Sequence, residues 1–228
     1  MQVTKSSIFE NHLALELVML EFDAESFVPQ SFEQFKQPLP ERIKKAVHKR
    51  QAEYLAGRIC ATQALTALNF DNPIIHTADD RVPIWPAGTF GSITHTKGIA
   101  AAIAGIKHGA TGVGIDIEQL MKDSQETKLQ TYILREDENT QFNELSKQVA
   151  HPLSVVFSAK ESIFKALYPF VGKYFGFDKA RLITFSETTL TYRVMHNLSK
   201  QVKVGLEVNV HYQLTGDLVF TQCLYEAK

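Results

Sequence analysis

Three segments near the C-terminus alternate apolar and polar side chains, and they constrain the fold more than any other feature of this chain. The segments RLITFSETTLTYRVMHNL, VGLEVNVHYQLTG and LVFTQCLYEAK are rich in Val, Thr, Tyr and Phe. Such alternation is typical of strands that bury one face. Together the segments predict an antiparallel meander that closes the chain.

A long segment in the first half has apolar residues at helical spacing. This spacing predicts a helix over Pro40 to Leu68, with Gly57 as a weak point or a close-packing site. Arg50 and Arg58 lie eight positions apart, which separates them by roughly 80° around a helix. Both side chains can therefore reach one polar ligand, although two surface arginines in separate salt bridges fit the spacing equally well.

A second helix is predicted where FSAKESIFKAL follows Pro152. Ser158 stands three residues before Glu161, which is the spacing of a capping box at a helix start. The helix should run to about Tyr168 and stop at Pro169. With a strand near residues 14–21, two strands that turn at 97–98, and two short helices within 121–151, the pattern predicts an α+β fold with mainly antiparallel sheet.

Composition excludes several classes of protein. The 228 residues include 24 basic and 25 acidic side chains, so the excess of positive charge that a non-specific nucleic-acid binder needs is absent. Two cysteines without CxxC spacing favour a reducing compartment, the cytoplasm, over a disulfide framework. Neither a signal peptide nor an apolar run of about 20 residues is apparent, so we expect no membrane span.

The stretch GVGIDIEQL is a predicted buried strand that carries two carboxylates. Side chains two apart share a face of a strand, so Gly112, Gly114, Asp116 and Glu118 lie on one side. Adjacent buried carboxylates repel each other unless a cation or basic groups compensate. The glycines leave room for a bulky anion, and Mg²⁺ shared with substrate phosphates suits such a face. A strand end that faces water is the simpler alternative.

The helix after Pro152 contains further charged residues of the same kind. Glu161 and Lys165 share a helix face, with Lys160 adjacent. Such a pair is often only surface, but beside a metal Glu161 is a candidate ligand or general base, and both lysines are candidates for phosphate binding. His95, in SITHT, is a candidate phosphate donor or a structural histidine. Neither a Walker motif nor GxGxxG accompanies these residues.

The ordered pair GVGIDIE and FSAKESIFKAL resembles the bipartite signature of 4'-phosphopantetheinyl transferases. Upstream, KRQAEYLAGR and RVPIWPAGTFGSITH extend the likeness to the larger, monomeric (Sfp-type) class, and within it to the branch of enterobactin synthetase component D. The resemblance covers roughly Arg50 to Phe177. The sequence departs from its relatives at Asp80, where they commonly have glycine.

The resemblance implies a pseudo-dimer of two similar α+β halves, residues 1–110 and 111–228, with coenzyme A and Mg²⁺ (or Mn²⁺) in the cleft between them. It implies a metal site of Asp116, Glu118 and Glu161, with Glu161, Lys165 and Asp116 as catalytic residues. The proton of the carrier's serine would pass to Glu161 or to a metal-bound water, and Glu118 would orient that water. It also implies that coenzyme A is bound by Arg50, Arg58, Arg81, Pro83, Thr94, His95, Lys160 and Lys165.

The implied reaction moves phosphopantetheine to a serine of an apo carrier protein. Aryl or peptidyl carrier domains of a nonribosomal siderophore synthetase are the expected partners, although acyl carriers fit the wider family. Leu129, Ile133 and Leu134, in the 121–151 region, are the expected carrier contacts. Two alternatives stay open: an inactive scaffold that binds coenzyme A or carriers, and an unrelated Mg²⁺-dependent nucleotide phosphotransferase.

Overall fold

The computed structural model describes residues 2–5, 14–71, 73–109 and 111–227. The chain divides into two compact units, Met1–His108 and Gly109–Lys228. Each unit has a hydrophobic core made of its own residues. Within the described ranges, no helix combines the length and the apolar character needed to cross a bilayer.

The first unit is built on a four-stranded antiparallel sheet in the order β1-β2-β6-β5. The predicted strand near residue 14 is present as β2. The predicted turn at 97–98 is present as the tight connection between β5 and β6, where Gly98 has a φ of 75°. In chain order the strands of this unit are β1 (Gln2–Lys5), β2 (Leu15–Glu21), β3 (His76–Thr77), β4 (Pro83–Ile84), β5 (Thr89–Thr96) and β6 (Ile99–Ile106).

The helices of this unit differ from the prediction of one helix over 40–68. They are α1 (Ser31–Gln34), α2 (Glu41–Lys44) and the long α3 (His48–Ala67). The chain breaks before α3 because Val47 is extended, with a ψ of 153°. The side-chain amide nitrogen of Gln51 donates to the backbone carbonyls of Lys44 and Ala46 at 3.2 and 2.8 Å. These two carbonyls have no helical partners because of the break.

Small residues bring α3 onto its sheet. A Cβ on Gly57 would lie 2.8 Å from Ile93 Cγ2, so this glycine is a close-packing site and α3 is continuous through it. Three buried alanines on one face of β6, at positions 100, 102 and 104, present an equally flat surface. The glycine is therefore used for close approach, one of the two alternatives that the sequence left open.

The second unit is a five-stranded antiparallel sheet in the order β7-β11-β10-β9-β8. The predicted closing meander is present, and the acid strand β7 pairs with the last strand at the sheet edge. An α+β fold with mainly antiparallel sheets is thus confirmed. The strands are β7 (Thr111–Gln119), β8 (Ala180–Phe185), β9 (Thr189–Val194), β10 (Glu207–Thr215) and β11 (Leu218–Glu226).

Helices cover one face of this sheet and follow its first strand. They are α4 (Asp123–Ile133), a 3-10 turn (Glu136–Glu138), α5 (Asn139–Leu145), α6 (Pro152–Val171) and a second 3-10 turn (Phe177–Lys179). The two predicted short helices are α4 and α5. The predicted stop at Pro169 is wrong, because α6 continues to Val171 and ends at Gly172, whose φ is 68°. Burial of α6 on the sheet outweighs the one hydrogen bond that Pro169 cannot donate.

Candidate active site

Strand β7 and helix α6 bring the predicted acidic and basic residues of the second unit together. Asp116 is only 3% exposed. Lys165 Nζ lies 2.8 Å from Asp116 Oδ1 and 2.9 Å from the carbonyl oxygen of Ile115. Ser158 donates to the other carboxylate oxygen of Asp116 at 2.9 Å. The aspartate is therefore held from α6 at both of its oxygens.

The glycines of β7 do not leave room for an anion, contrary to the sequence prediction. A Cβ on Gly112 would lie 2.3 Å from the carbonyl oxygen of Ala166, and one on Gly114 would lie 1.9 Å from that of Ser162. The space that the two glycines open is filled by the backbone of α6. Their function is to let the helix approach the strand closely, so that short side chains can bridge the two elements.

Burial and like charge shape the electrostatics of this cluster. Burial, together with the charges of Asp116 and Glu161, raises the pKa of Glu118 to about 7, while Lys165 opposes the shift. Burial also raises the pKa of Glu161, and Asp116 adds to that effect against Lys165. Three carboxylates with one ammonium group form an acidic site that an additional cation would stabilise.

The three carboxylates are not gathered as a preformed metal cage. Among the residues that the structure describes, no three His, Cys, Asp or Glu side chains are grouped closely enough to hold a metal ion. Mg²⁺ commonly uses only one or two carboxylates and completes its shell with substrate phosphates and water. The acidic oxygen donors on β7 and α6 therefore fit Mg²⁺ in chemical type.

Ser158 is not the helix cap that its spacing to Glu161 predicts. Helix α6 begins six residues earlier, with Pro152 at its first turn and His151 before it. Ser158 is fully buried in the middle of the helix and its hydroxyl bonds Asp116. The correct start signal was the proline, which suits a first helical turn because its missing N–H has no partner to lose there.

Lys160 is not beside Lys165, and its predicted phosphate-binding role has no support in the geometry. Five positions on a helix turn a side chain by about 140°, so the two lysines point to different sides. Lys160 is 2% exposed and its Nζ lies 2.6 Å from Glu138 Oε2. It also donates to the carbonyls of Ile133 and Phe177 at 2.9 and 3.3 Å. Its three protons are thus used to hold neighbouring segments on α6.

In the first unit, α3 and β5 bring Arg50 to His95. Arg50 Nη1 lies 2.7 Å from His95 Nε2, and the same nitrogen lies 3.3 Å from Glu53 Oε2. Both the arginine and the histidine are partly open to solvent. Thr94 is adjacent in sequence but buried, as expected for successive residues on opposite faces of a strand. The structure thus pairs His95 with Arg50 and leaves Thr94 on the other face.

Arg58 has a different partner from Arg50. It is 5% exposed, its Nη2 donates to Thr77 Oγ1 at 2.7 Å, and its guanidinium lies 4.8 Å from the ring centroid of Tyr54. The Tyr54 hydroxyl bonds the same threonine oxygen at 2.9 Å. Arg58 therefore holds the β3–β4 hairpin through Thr77. The structure does not direct the side chains of Arg50 and Arg58 to one point.

The β3–β4 hairpin carries the other two predicted coenzyme residues of this unit. Arg81 lies in the turn with a φ of 76°, and Pro83 pairs with Thr77 in the adjoining strand. The side chain of Asp80 accepts a hydrogen bond from the Val82 amide at 3.2 Å. Asp80 thus stabilises the turn with its own side chain.

Comparison with known proteins assigns the family. The model of the 4'-phosphopantetheinyl transferase N-terminal domain matches residues 39–105, and that of the 4'-phosphopantetheinyl transferase superfamily matches residues 112–223. The chain belongs to this superfamily. The predicted family is therefore confirmed, and we refer to the protein below as the transferase.

Named relatives support the same assignment. Enterobactin synthase component D of Salmonella typhi is 34% identical over 179 residues, which cover 78% of the transferase and 73% of the relative. Enterobactin synthase component D of Escherichia coli strain K12 is 28% identical over 99% of the transferase and 100% of the relative. The 4'-phosphopantetheinyl transferase PptT of Mycobacterium tuberculosis is 31% identical over 67% of each chain. The predicted likeness to the enterobactin branch is confirmed.

Sequence reasoning missed the polar residues that pack around Asp116. Ser158, Ser162 and Thr221 are buried and form hydrogen bonds with one another. The two serines are four positions apart on α6, which was a readable signal of a shared helix face. Thr221 gave no such signal, because its position opposite Asp116 depends on the register of β7 with β11.

Proposed function

We propose that the transferase moves the phosphopantetheine arm of coenzyme A to a serine of an apo carrier domain and releases adenosine 3',5'-bisphosphate. The carrier that we propose is an aryl or peptidyl domain of a nonribosomal siderophore synthetase, because several relatives are enterobactin synthase components. The observation that carries the proposal is the buried Asp116–Lys165 pair among carboxylates, in a chain of this superfamily.

The acidic residues are assigned to a metal. Asp116, Glu118 and Glu161 would hold Mg²⁺, which would offset negative charge on the pyrophosphate of coenzyme A. Burial and the neighbouring carboxylates raise the pKa of Glu118 and of Glu161, and a bound cation would offset both effects.

Lys165 and Glu161 are assigned to the chemical step. The serine oxygen attacks the phosphorus on the pantetheine side of the pyrophosphate, and the bond from that phosphorus to the bridging oxygen breaks. Lys165, which is partly exposed, stabilises the charge that develops on the departing oxygen. We assign Glu161 as the acceptor of the serine proton, because its carboxylate lies near enough to Asp116 and Lys165 for their charges to act on it.

The first unit is assigned to recognition of the coenzyme's nucleotide. Arg50 and His95 lie side by side and partly exposed, which suits binding of the 3'-phosphate. The β3–β4 hairpin with Arg81 and Pro83 is assigned to the adenine, and Arg58 supports that hairpin through Thr77. Because the sequence resembles the larger, monomeric class of the family, we propose that the transferase works as a monomer.

The proposed reaction is tested by intact-mass measurement. An apo peptidyl carrier and an apo fatty-acid carrier are each incubated with the transferase, coenzyme A and Mg²⁺. We expect a phosphopantetheine mass gain, and we expect Asp116→Asn to slow it roughly 100- to 1000-fold, as for loss of a charge-stabilising group. A faster gain on the peptidyl carrier supports the siderophore assignment.

Two results would contradict this proposal. No gain on either carrier, with coenzyme A still bound, favours a scaffold that binds without transfer. An unchanged rate in Asp116→Asn would remove Asp116 from the mechanism.

Transfer from coenzyme A without hydrolysis of a free nucleotide excludes the nucleotide phosphotransferase.

Helix α4 presents the surface that we assign to the carrier. Tyr132 and Leu129 are 79% and 38% exposed and three positions apart, so they form one patch. Lys128 is exposed beside them, which suits an acidic carrier helix. Ile133 is buried and Leu134 packs on the core, so these two predicted contacts are corrected to core positions.

We expect the double substitution Leu129→Ala/Tyr132→Ala to raise the KM for the carrier more than about fivefold, the size of a modest interface hot spot. The KM for coenzyme A should stay unchanged, because both side chains lie outside the acidic cluster. Steady-state assays with either substrate varied separate the two constants. Val204→Ala, an exposed apolar residue elsewhere in the unit, is the control. Equal changes in both constants would count against the docking surface.

A further inference from the structure

We propose that a buried hydroxyl network of Ser158, Ser162 and Thr221 positions the carboxylate of Asp116 for metal binding and transfer. The inference rests on the proposed role of Asp116, and it assigns a task to three residues that lie outside the acidic cluster itself. All three are essentially without solvent contact. They act through Asp116, so they are positioning residues.

The network connects the last strand to the acid strand through the helix above both. Thr221 on β11 is the direct cross-strand neighbour of Asp116 on β7. Thr221 Oγ1 lies 2.9 Å from Ser158 Oγ and 2.7 Å from Ser162 Oγ. Ser158 Oγ in turn lies 2.9 Å from Asp116 Oδ2. One threonine thus holds two turns of α6 directly above the aspartate.

Counting protons gives the network a direction. A carboxylate oxygen can only accept, so Ser158 donates its proton to Asp116. Thr221 donates its single proton toward Ser158, whose hydroxyl and carbonyl oxygens each lie 2.9 Å from Thr221 Oγ1. Ser162 then donates to Thr221. The hydroxyl contacts therefore run from Ser162 through Thr221 to Ser158, and an oxygen of the Asp116 carboxylate accepts at the end of the network.

The network matters because the ion pair of the carboxylate with Lys165 is shared with the substrate. Lys165 bonds Asp116 Oδ1, yet its side chain is 24% exposed, and we assign it to the pyrophosphate. When Lys165 turns to substrate oxygens, the Ser158 hydroxyl still fixes Oδ2 from a fully buried position. Carboxylate ligands are commonly oriented by such hydrogen bonds, and loss of one typically lowers metal affinity or activity by about 10- to 100-fold.

The test measures metal binding as well as turnover. Mn²⁺ affinity is measured by electron paramagnetic resonance on the intact protein with coenzyme A present, and transfer is measured on an apo carrier. We expect Ser158→Ala to weaken Mn²⁺ binding and to lower kcat by about 10- to 100-fold each. Ser154→Ala is the matched control, because Ser154 is an equally buried serine of α6 that bonds Met121 instead.

A second pair of variants separates the hydroxyl from packing. Thr221→Val keeps the shape and removes the hydroxyl, whereas Thr221→Ser keeps the hydroxyl. We expect Thr221→Val to show the same loss of Mn²⁺ affinity as Ser158→Ala, and Thr221→Ser to retain most of that affinity. Circular dichroism confirms that both variants are folded. This pair also decides the question if Ser158→Ala does not fold.

The inference is overturned if Ser158→Ala binds Mn²⁺ as well as Ser154→Ala, or if Thr221→Ser loses as much affinity as Thr221→Val. Failure of the proposed function gives a different result. In that case the wild-type protein transfers nothing to any carrier, while the order of Mn²⁺ affinities among the variants still reports on the network. A wild-type protein that binds no Mn²⁺ would overturn the inference together with the metal assignment.

Discussion

Replacement of Lys160 by methionine should lower the free energy of unfolding by about 3–5 kcal/mol, the usual cost of leaving one member of a buried ion pair without its partner. Glu138 and Lys160 are both sealed from solvent, with side-chain exposures of 0% and 1%. Glu138 also accepts hydrogen bonds from the Leu182 and Arg135 amides at 2.7 and 2.8 Å. The pair therefore joins α6 to the segments on either side of it.

The double variant Lys160→Met/Glu138→Gln should be more stable than Lys160→Met alone. The glutamine removes the unpaired buried charge and keeps one acceptor oxygen, for the Leu182 amide, whereas the Arg135 amide loses its acceptor. Urea unfolding followed by far-ultraviolet circular dichroism measures the difference. Lys147→Met is the control, because Lys147 makes an ion pair with Glu144 at the same 2.6 Å but in solvent, where little change is expected.

The same experiment decides between two roles for Lys160. If Lys160→Met unfolds like the wild-type protein and instead loses affinity for coenzyme A, the lysine binds phosphate as its sequence position first indicated. If stability falls while coenzyme A affinity of the folded protein is retained, its function is to hold the α4 region on α6.

Gly114→Ala should also be strongly destabilising, through sterics rather than charge. The added Cβ would lie 1.9 Å from the Ser162 carbonyl oxygen and 2.7 Å from the Ala166 nitrogen. Both are backbone atoms of α6, so no side-chain rotation relieves the clash and the helix must move. We expect the free energy of unfolding to fall by roughly 3 kcal/mol, at or above the upper end of the 1–3 kcal/mol usual for overpacking. Transfer activity should fall with it, because a displaced α6 carries Lys165 away from Asp116.

Thermal melting and the carrier assay measure both effects, with Gly176→Ala as the matched control. A Cβ on Gly176 meets only the Asp178 carboxylate at 2.8 Å, the mobile end of a side chain. If Gly114→Ala melts together with this control and stays active, then close approach of α6 to β7 is not what the glycine provides.

Local patterns predicted most of the secondary structure but not the directions in which α6 presents its polar groups. Alternation in the last three segments and the run around Asp116 are signals carried by neighbouring residues, so they were readable. The burial of Lys160 was not predicted because lysine is seldom fully buried unless paired, and its partner Glu138 lies 22 positions away in another segment. Ser158 was misread because a capping-box spacing occurs by chance inside a helix whose true start is marked by Pro152.

The glycines of the acid strand illustrate the same limit. Sequence shows that Gly112 and Gly114 lack side chains, but it does not show what occupies the space. Whether a ligand or a helix fills it depends on the path of α6, which is set by burial of its apolar residues over the whole sheet. The residues of the candidate site were therefore predicted more completely than their contacts.

The separate cores have a consequence for spectroscopy. Trp85 is the single tryptophan of the chain, and it packs against the core of the first unit, while the acidic cluster belongs to the second. Tryptophan fluorescence will therefore follow melting of the first unit alone. Six of the seven tyrosines lie in the second unit, at positions 132, 168, 174, 192, 212 and 225. Tyrosine absorbance and tryptophan emission, recorded on one sample, therefore give separate melting curves for the two units.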